Sequence, residues 1–209
     1  MLALSAMDSI TDPVTDSELL PLTCHPQTPC QAIQGIDAVI TTTAPGDILT
    51  LAFVLECDLS GLRIPAPRSP RRVDGLWAHS CFEVFVMAGD GPAYREFNVS
   101  PSGEWAVYAF RSYREGEALD VELAPGIAVR RTSNRLQLDA EIRQDFLPPG
   151  RPLRLGLSAV MEDADGALSY WALRHAPGKP DFHHTDAFAL QLELPRMRNV
   201  NNLPGGVVP

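Results

Sequence analysis

Residues 80–113 read SCFEVFVMAGDGPAYREFNVSPSGEWAVYAFRSY. Three runs rich in β-branched and aromatic residues are parted by short segments containing Gly and Pro, the pattern of successive antiparallel strands. Pro101-Ser102-Gly103 suits a hairpin turn with Gly near its end. Side chains alternate across a strand, so Phe82, Val84 and Val86 share one face of the first run and Glu83 and Phe85 the other. In the second run Glu96, Asn98 and Ser100 share a face. The third brings Trp105, Tyr108 and Arg111, which extend this into a polar-aromatic row. If the first two runs pair as a hairpin, Glu83 joins the row. The row is either the wet side of a sheet or a surface that holds a ligand.

The same pattern extends outward. Residues 38–56, AVITTTAPGDILTLAFVLE, read as a hairpin, with Pro45-Gly46 suited to a type II turn. Residues 126–142 form a second, with Ser133-Asn134 at its tip, and residues 152–175 a third that turns at Asp163 to Gly166. AFALQLEL, 187–194, is the last strand. One helical turn around Arg143 to Leu147 is the only break in the β pattern. About ten strands in short-range hairpins predict an all-β chain, a two-sheet antiparallel β-sandwich. The polar segment 1–17 and the tail 196–209 are expected to be disordered, leaving one domain over 18–195.

The chain has 209 residues and a net charge of -9, so nucleic acid and anionic membrane surfaces are poor partners. No apolar run reaches the ~18 residues of a membrane span. The first residues lack the basic n-region of a secretory signal. Cys24, Cys30, Cys57 and Cys81 are scattered, with no paired metal-type spacing. Reduced thiols and a cytoplasmic location are expected, with a Cys24–Cys30 disulfide left open. Composition leaves the oligomeric state open.

Glu83 is a lone carboxylate among Phe, Val and Met. It lies at a sheet edge, pairs with an arginine, or faces a ligand, because carboxylates are rarely buried alone. Among the aromatics, Trp77, Trp105 and Trp171 are either core or stacking platforms for a sugar ring. Trp77 stands out, since it follows the turn Asp74-Gly75 and precedes His79. The segment 170–186, YWALRHAPGKPDFHHTD, gathers His175, Lys179, Asp181, His183 and His184 in a Pro/Gly loop, as in a loop folded over a site. Zinc would draw on Asp181, His183 and His184, although adjacent histidines on extended backbone point apart. Haem b would need a pair such as Met87 or Met161 with one histidine. Ser100 and Ser102 lack a nucleophile elbow. Glu83 with Glu96 could serve glycoside hydrolysis.

Three motifs together, LWAHSCFEVFV (76–86), YREFNVSPSGEWAVYAF with RSYREG (94–116) and YWALRHAPGKPDFHHTDAF (170–188), resemble the bacterial DOMON-like proteins. These belong with DOMON domains and family 9 carbohydrate-binding modules, and the match spans about 75–190. The resemblance implies an immunoglobulin-like sandwich that binds a sugar or haem rather than performing catalysis, with a cell-wall sugar derivative as the expected ligand. Haem b stands as the alternative and Glu83/Glu96 hydrolysis as a third. The expected ligand-binding set is Trp77, His79, Glu83, Glu96, Asn98, Trp105, Tyr108, Arg111, Trp171, His175, Lys179, Asp181 and His183, with no metal ligands.

Overall fold

The computed structural model describes residues 19–42, 48–89, 91–121 and 125–192. The turn expected at Pro45-Gly46, and the segments 1–17 and 196–209, lie outside the described residues. Twelve strands run through the rest: β1 (Leu20–Cys24), β2 (Ile33–Thr42), β3 (Ile48–Cys57), β4 (Cys81–Ala88), β5 (Tyr94–Val99), β6 (Trp105–Ser112), β7 (Glu115–Ala118), β8 (Gly126–Arg131), β9 (Arg135–Arg143), β10 (Leu153–Glu162), β11 (Leu168–Ala172) and β12 (Leu190–Leu192). All strand pairings between them are antiparallel. The helical elements among the described residues are four single 3-10 turns, one of them Gln144–Phe146, where one helical turn is expected. None is long and apolar enough to cross a membrane. The two strands beyond the expected ten are β1, which contains a proline, and β7, whose sequence EGEA has no β-branched residue.

The hydrogen-bonded path runs β7-β6-β5-β4-β10-β11-β1-β2-β3-β9-β8, and β12 pairs with β10. The path folds back on itself at β1. Leu20, Pro21 and Leu22 pair with β2, whereas Thr23 and Cys24 pair with β11. A strand that changes partners in this way forms the corner between two packed layers.

The layers meet through the alternate residues of each strand. Leu51, Phe53 and Leu55 of β3 and Leu136 and Leu138 of β9 face Phe82, Val84 and Val86 of β4, Phe97 of β5, and Leu155 and Leu157 of β10 in one core. Phe53 and Phe82 stack at the centre, with ring centroids 4.8 Å apart. Each such buried apolar side chain contributes about 1.5–3 kcal/mol.

Strand β3 alternates buried and half-buried positions, as a layer with one wet face should. By contrast, β4 is buried on both faces from Cys81 to Met87. Its second face is covered by Phe182 and Phe188 from the segment after β11, which pack on Phe85 and Met87. This covered outer face carries the polar row.

The loop before β4 also has a structural role. Gly103, at φ 89°, closes the β5–β6 turn by donating its N–H to Ser100 O at 2.9 Å. Ser102 Oγ lies 3.0 Å from both Ser100 Oγ and Glu104 Oε2. Glu104 in turn binds Arg71 at 2.7 Å and Arg68 at 3.5 Å. The basic cluster of this Pro-rich loop therefore clamps the turn; against its burial, hydrogen bonds from Arg71 and Ser102, then the Arg68 and Arg71 charges, hold the Glu104 carboxyl below its ordinary range.

Candidate ligand cavity

Strand register builds the site. On the outer face of β4, Glu83 stands opposite Asn98 of β5 and Ser158 of β10. One pair further along, Phe85 stands opposite Glu96, which itself faces Tyr108 of β6. The next pairs set Tyr94 against Met87 and Phe110. Period-two geometry therefore brings Glu83, Glu96 and Asn98 onto one surface, with the two glutamates diagonal neighbours roughly 7 Å apart.

A strap from 173 to 189 closes over one end of this surface. Its 3-10 turn Thr185–Ala187 sits on Gly156 of β10, where a Cβ would meet Ala187 O at 3.0 Å. His183 lies edge-on to Phe85 and to Phe110, each with centroids 5.1 Å away. The strap is tied to the β6–β7 turn through Asp181, which accepts from Tyr113 Oη at 2.7 Å and from the Arg114 guanidinium at 2.9 Å. Arg114 adopts the left-handed conformation at φ 55°, and its N–H donates to Tyr94 Oη at 3.1 Å. Tyr94 Oη therefore has its own proton to give His183 Nδ1, 2.8 Å away. The imidazole then carries its hydrogen on Nε2, which lies 3.8 Å from Glu96 Oε2.

Strands and strap enclose a cavity of about 810 Å³. Glu83 and Glu96, 3% and 4% exposed, form its floor. Tyr108, Phe110, Tyr170 and Phe182 supply aromatic walls, and Trp77, Lys179 and Arg114 stand at the mouth. Trp77 is 56% exposed. It rides on the 3-10 turn Leu76–Ala78, which starts from left-handed Gly75. Tyr108 Oη fixes that turn by accepting from Gly75 N at 3.4 Å and donating to Asp74 Oδ1 at 3.2 Å.

The floor is electrostatically unsettled. Burial, then the neighbouring Glu96 charge, pushes the Glu83 carboxyl well above the usual carboxylate range. Burial also raises Glu96, to about 7, against the Asn98 hydrogen bond and the Arg114 charge. Burial and the Arg114 charge lower His183 to about 4, so the ring is neutral near pH 7. Asn98 Nδ2 donates to Glu96 Oε1 at 2.9 Å. Yet Asn98 Oδ1 and Ser158 Oγ are buried with no partner, and Glu83 makes no hydrogen bond to the described residues.

Of the expected residues, Trp77, Glu83, Glu96, Tyr108, Lys179 and His183 line the cavity. Asn98 lies at floor level, fully buried, and Asp181 braces the strap. The others fall elsewhere. Trp105 is 4% exposed and belongs to the inter-layer core, because it and Tyr108 are an odd number of residues apart and so point to opposite faces. Trp171 also faces the core and donates Nε1–H to Ser169 Oγ at 3.1 Å. Arg111 is exposed and pairs with Glu115. His79 pairs with Glu162 at 2.7 Å. His175 donates Nε2–H to Thr23 O at 2.7 Å, against the His25 ring.

The zinc set does not converge. His183 bonds Tyr94, His184 Nδ1 caps its 3-10 turn by accepting from Asp186 N, and Asp181 bonds Arg114. Among the described residues no group of three His, Cys, Asp or Glu is placed to hold a metal. Of the methionines considered for haem, Met161 faces the inter-layer core and Met87 is buried beside Phe85. Arg114, Phe110, Tyr170, Phe182, Gln27 and Thr28 line the cavity outside the expected set.

No family model matches the chain, and no curated protein does. Solved structures do. A candidate carbohydrate-binding protein from Bacteroides uniformis superposes with a TM-score of 0.60 at 14% identity, over 81% of this chain and 83% of that one. A family 9 carbohydrate-binding module from Caldicellulosiruptor kristjanssonii, in complex with cellotriose, superposes with a TM-score of 0.50 at 11% identity, over 99% and 96% of the two chains. The chain shares their β-sandwich fold. At these identities the likeness extends to fold and no further.

Proposed function

We propose that the protein binds a small carbohydrate or similar polyol in the cavity over β4, β5, β6 and β10, without transforming it. The observation that carries this reading is the cavity itself: sugar-sized, walled by aromatic rings and floored by the buried carboxyls of Glu83 and Glu96, which keep oxygens free to bond a ligand. Its volume falls in the usual range of small-molecule sites, about 300–1,000 Å³. Aromatic faces stack on the C–H surface of a sugar ring, and carboxyl and amide groups grip its hydroxyls. Trp77 is free to stack at the mouth, while the floor reads the inner edge of the ring. The shared fold with carbohydrate-binding proteins supports the reading. The four free thiols fit a reducing, cytoplasmic setting.

Isothermal titration against monosaccharides, their amino and N-acetyl derivatives and short oligosaccharides tests it. Saturable heat for at least one member is expected; no heat for any of them overturns the reading. The raised carboxyl pair also favours a second reading, glycoside hydrolysis with one acid held protonated. Turnover of a nitrophenyl glycoside that disappears in Glu83→Gln would select it over simple binding.

A further inference from the structure

We infer that the ligand carries a protonated amine at its buried end, as an amino sugar does, and that Glu83 and Glu96 receive it. This rests on the carbohydrate reading above and specifies the class of sugar.

The floor has hydrogen-bonding capacity that the protein leaves unused. Glu83 offers two carboxyl oxygens with no protein partner, and Glu96 offers Oε2, whose nearest charged neighbour is His183 Nε2 at 3.8 Å. Asn98 Oδ1 lies behind them, fully buried and unpaired, and does not itself line the cavity. Across the floor the donors are His183 Nε2–H and the one proton that the carboxyl pair shares; the Ser158 hydroxyl is buried behind the lining without a partner. Acceptors outnumber donors. A hydroxyl group brings one donor together with acceptor lone pairs, which a floor of this kind leaves unmatched. An ammonium group brings three donors and no acceptor.

The floor also lacks a cation of its own. Among the described residues no cation lies within hydrogen-bond distance of either glutamate. The Arg114 guanidinium is engaged by Asp181 and by Tyr113 Oη, the latter at 3.3 Å. His183 accepts the Tyr94 proton at Nδ1 and is neutral. Two buried carboxyls at the bottom of the cavity therefore await a positive charge, and a buried carboxylate is stable only when paired.

The walls suit the same group. Tyr108, Phe110, Tyr170 and Phe182 surround the space above the floor. The negative ring faces attract an ammonium group, an attraction that strengthens as water is removed. Lys179 and Arg114 at the mouth set the opposite polarity, so a ligand enters with its amine inward and its hydroxyl or anionic end toward the rim.

The test is isothermal titration with glucosamine, galactosamine and mannosamine, each beside its parent hexose and its N-acetyl derivative, at pH 7. At least one amino sugar is expected to bind tenfold or more tighter than both neutral counterparts. Its binding should release a proton, seen as different apparent enthalpies in phosphate and Tris buffers, because the floor pair gives up the proton it shares. Glu83→Gln and Glu96→Gln, each confirmed folded by thermal melting, should each lose that preference. Equal affinity for amine and parent hexose overturns the inference and leaves carbohydrate binding standing. Preference retained in both variants overturns the assignment to Glu83 and Glu96. No binding by any of the nine sugars overturns both the inference and its premise for hexoses.

Discussion

Replacing Glu96 by Gln isolates the energetic consequence of burying an acid on the cavity floor. Glutamine keeps the volume and an oxygen to accept from Asn98 Nδ2, now 2.9 Å from Glu96 Oε1. What it removes is a titrating group. Burial raises Glu96 from 4.5 to about 7. Between those values the folded chain holds a proton that the unfolded chain has released, so stability present below pH 4.5 is lost as pH rises toward 7. At 1.36 kcal/mol per pH unit the loss is about 3 kcal/mol. His183 contributes the opposite slope. It falls from 6.5 to about 4, so the unfolded chain binds the extra proton and stability rises over that interval. In the native protein the two slopes oppose each other.

Glu96→Gln removes its own falling slope and leaves the rising one of His183 beside the falling one of Glu83, which both proteins share. The variant should match the native protein near pH 4 and exceed it by about 3 kcal/mol at pH 8, which is a gain of about 6–12 °C in Tm for a domain of this size. Relief of Glu83 from a neighbouring charge acts in the same direction. Thermal melts of both proteins at half-unit steps from pH 4 to 8, without ligand, measure the difference. A difference independent of pH, or a variant less stable at pH 8, refutes the reasoning.

Other consequences follow from the same geometry. Tyr94→Phe removes the acceptor for the Arg114 N–H and the donor to His183, and should cost about 1–3 kcal/mol in urea unfolding; an unchanged midpoint would show that these bonds are not part of the fold's stability. Gly156→Ala drives a Cβ against Ala187 O, at 3.0 Å, and should cost about 1–3 kcal/mol and loosen the strap. Faster tryptic cleavage after Arg174 reads that loosening, and an unchanged digest contradicts it. Trp77→Ala should leave stability within about 0.5 kcal/mol, because the ring is exposed at the mouth, yet weaken sugar binding by about 1–2 kcal/mol in isothermal titration. Unchanged affinity would remove Trp77 from the binding surface.

That Glu83 shares a face with Glu96 and Asn98 is legible in the sequence because period two fixes it once the hairpin is accepted, whereas the register that sets it opposite Asn98 comes from the fold. The inward face of β6 is less so. WAVYAF is apolar or aromatic at nearly every position, so pattern alone lacks the contrast to separate core Trp105 from cavity-facing Tyr108 and Phe110. Strand β7 is hidden for the opposite reason, since Glu115 to Ala118 offer no β-branched signal and form a strand by pairing with β6. The crowding of 170–186 signals a loop over the site, but which of its residues reach inward depends on where the backbone lands. That in turn depends on Gly156, whose missing side chain admits the strap. Arg114, Gln27 and Thr28 reach the cavity from turns distant along the chain, and no local spacing announces them.

Because β1 serves both layers, its removal would expose two strand edges at once, one on β2 and one on β11. Bare edges with matching backbone groups invite another copy of the same chain to supply the missing strand. The segment Leu20–Cys24 thus acts as a seam cover. A chain trimmed past it loses Leu22 from the inter-layer core and offers two bare edges to its neighbours, so intermolecular zippering should accompany the loss of stability.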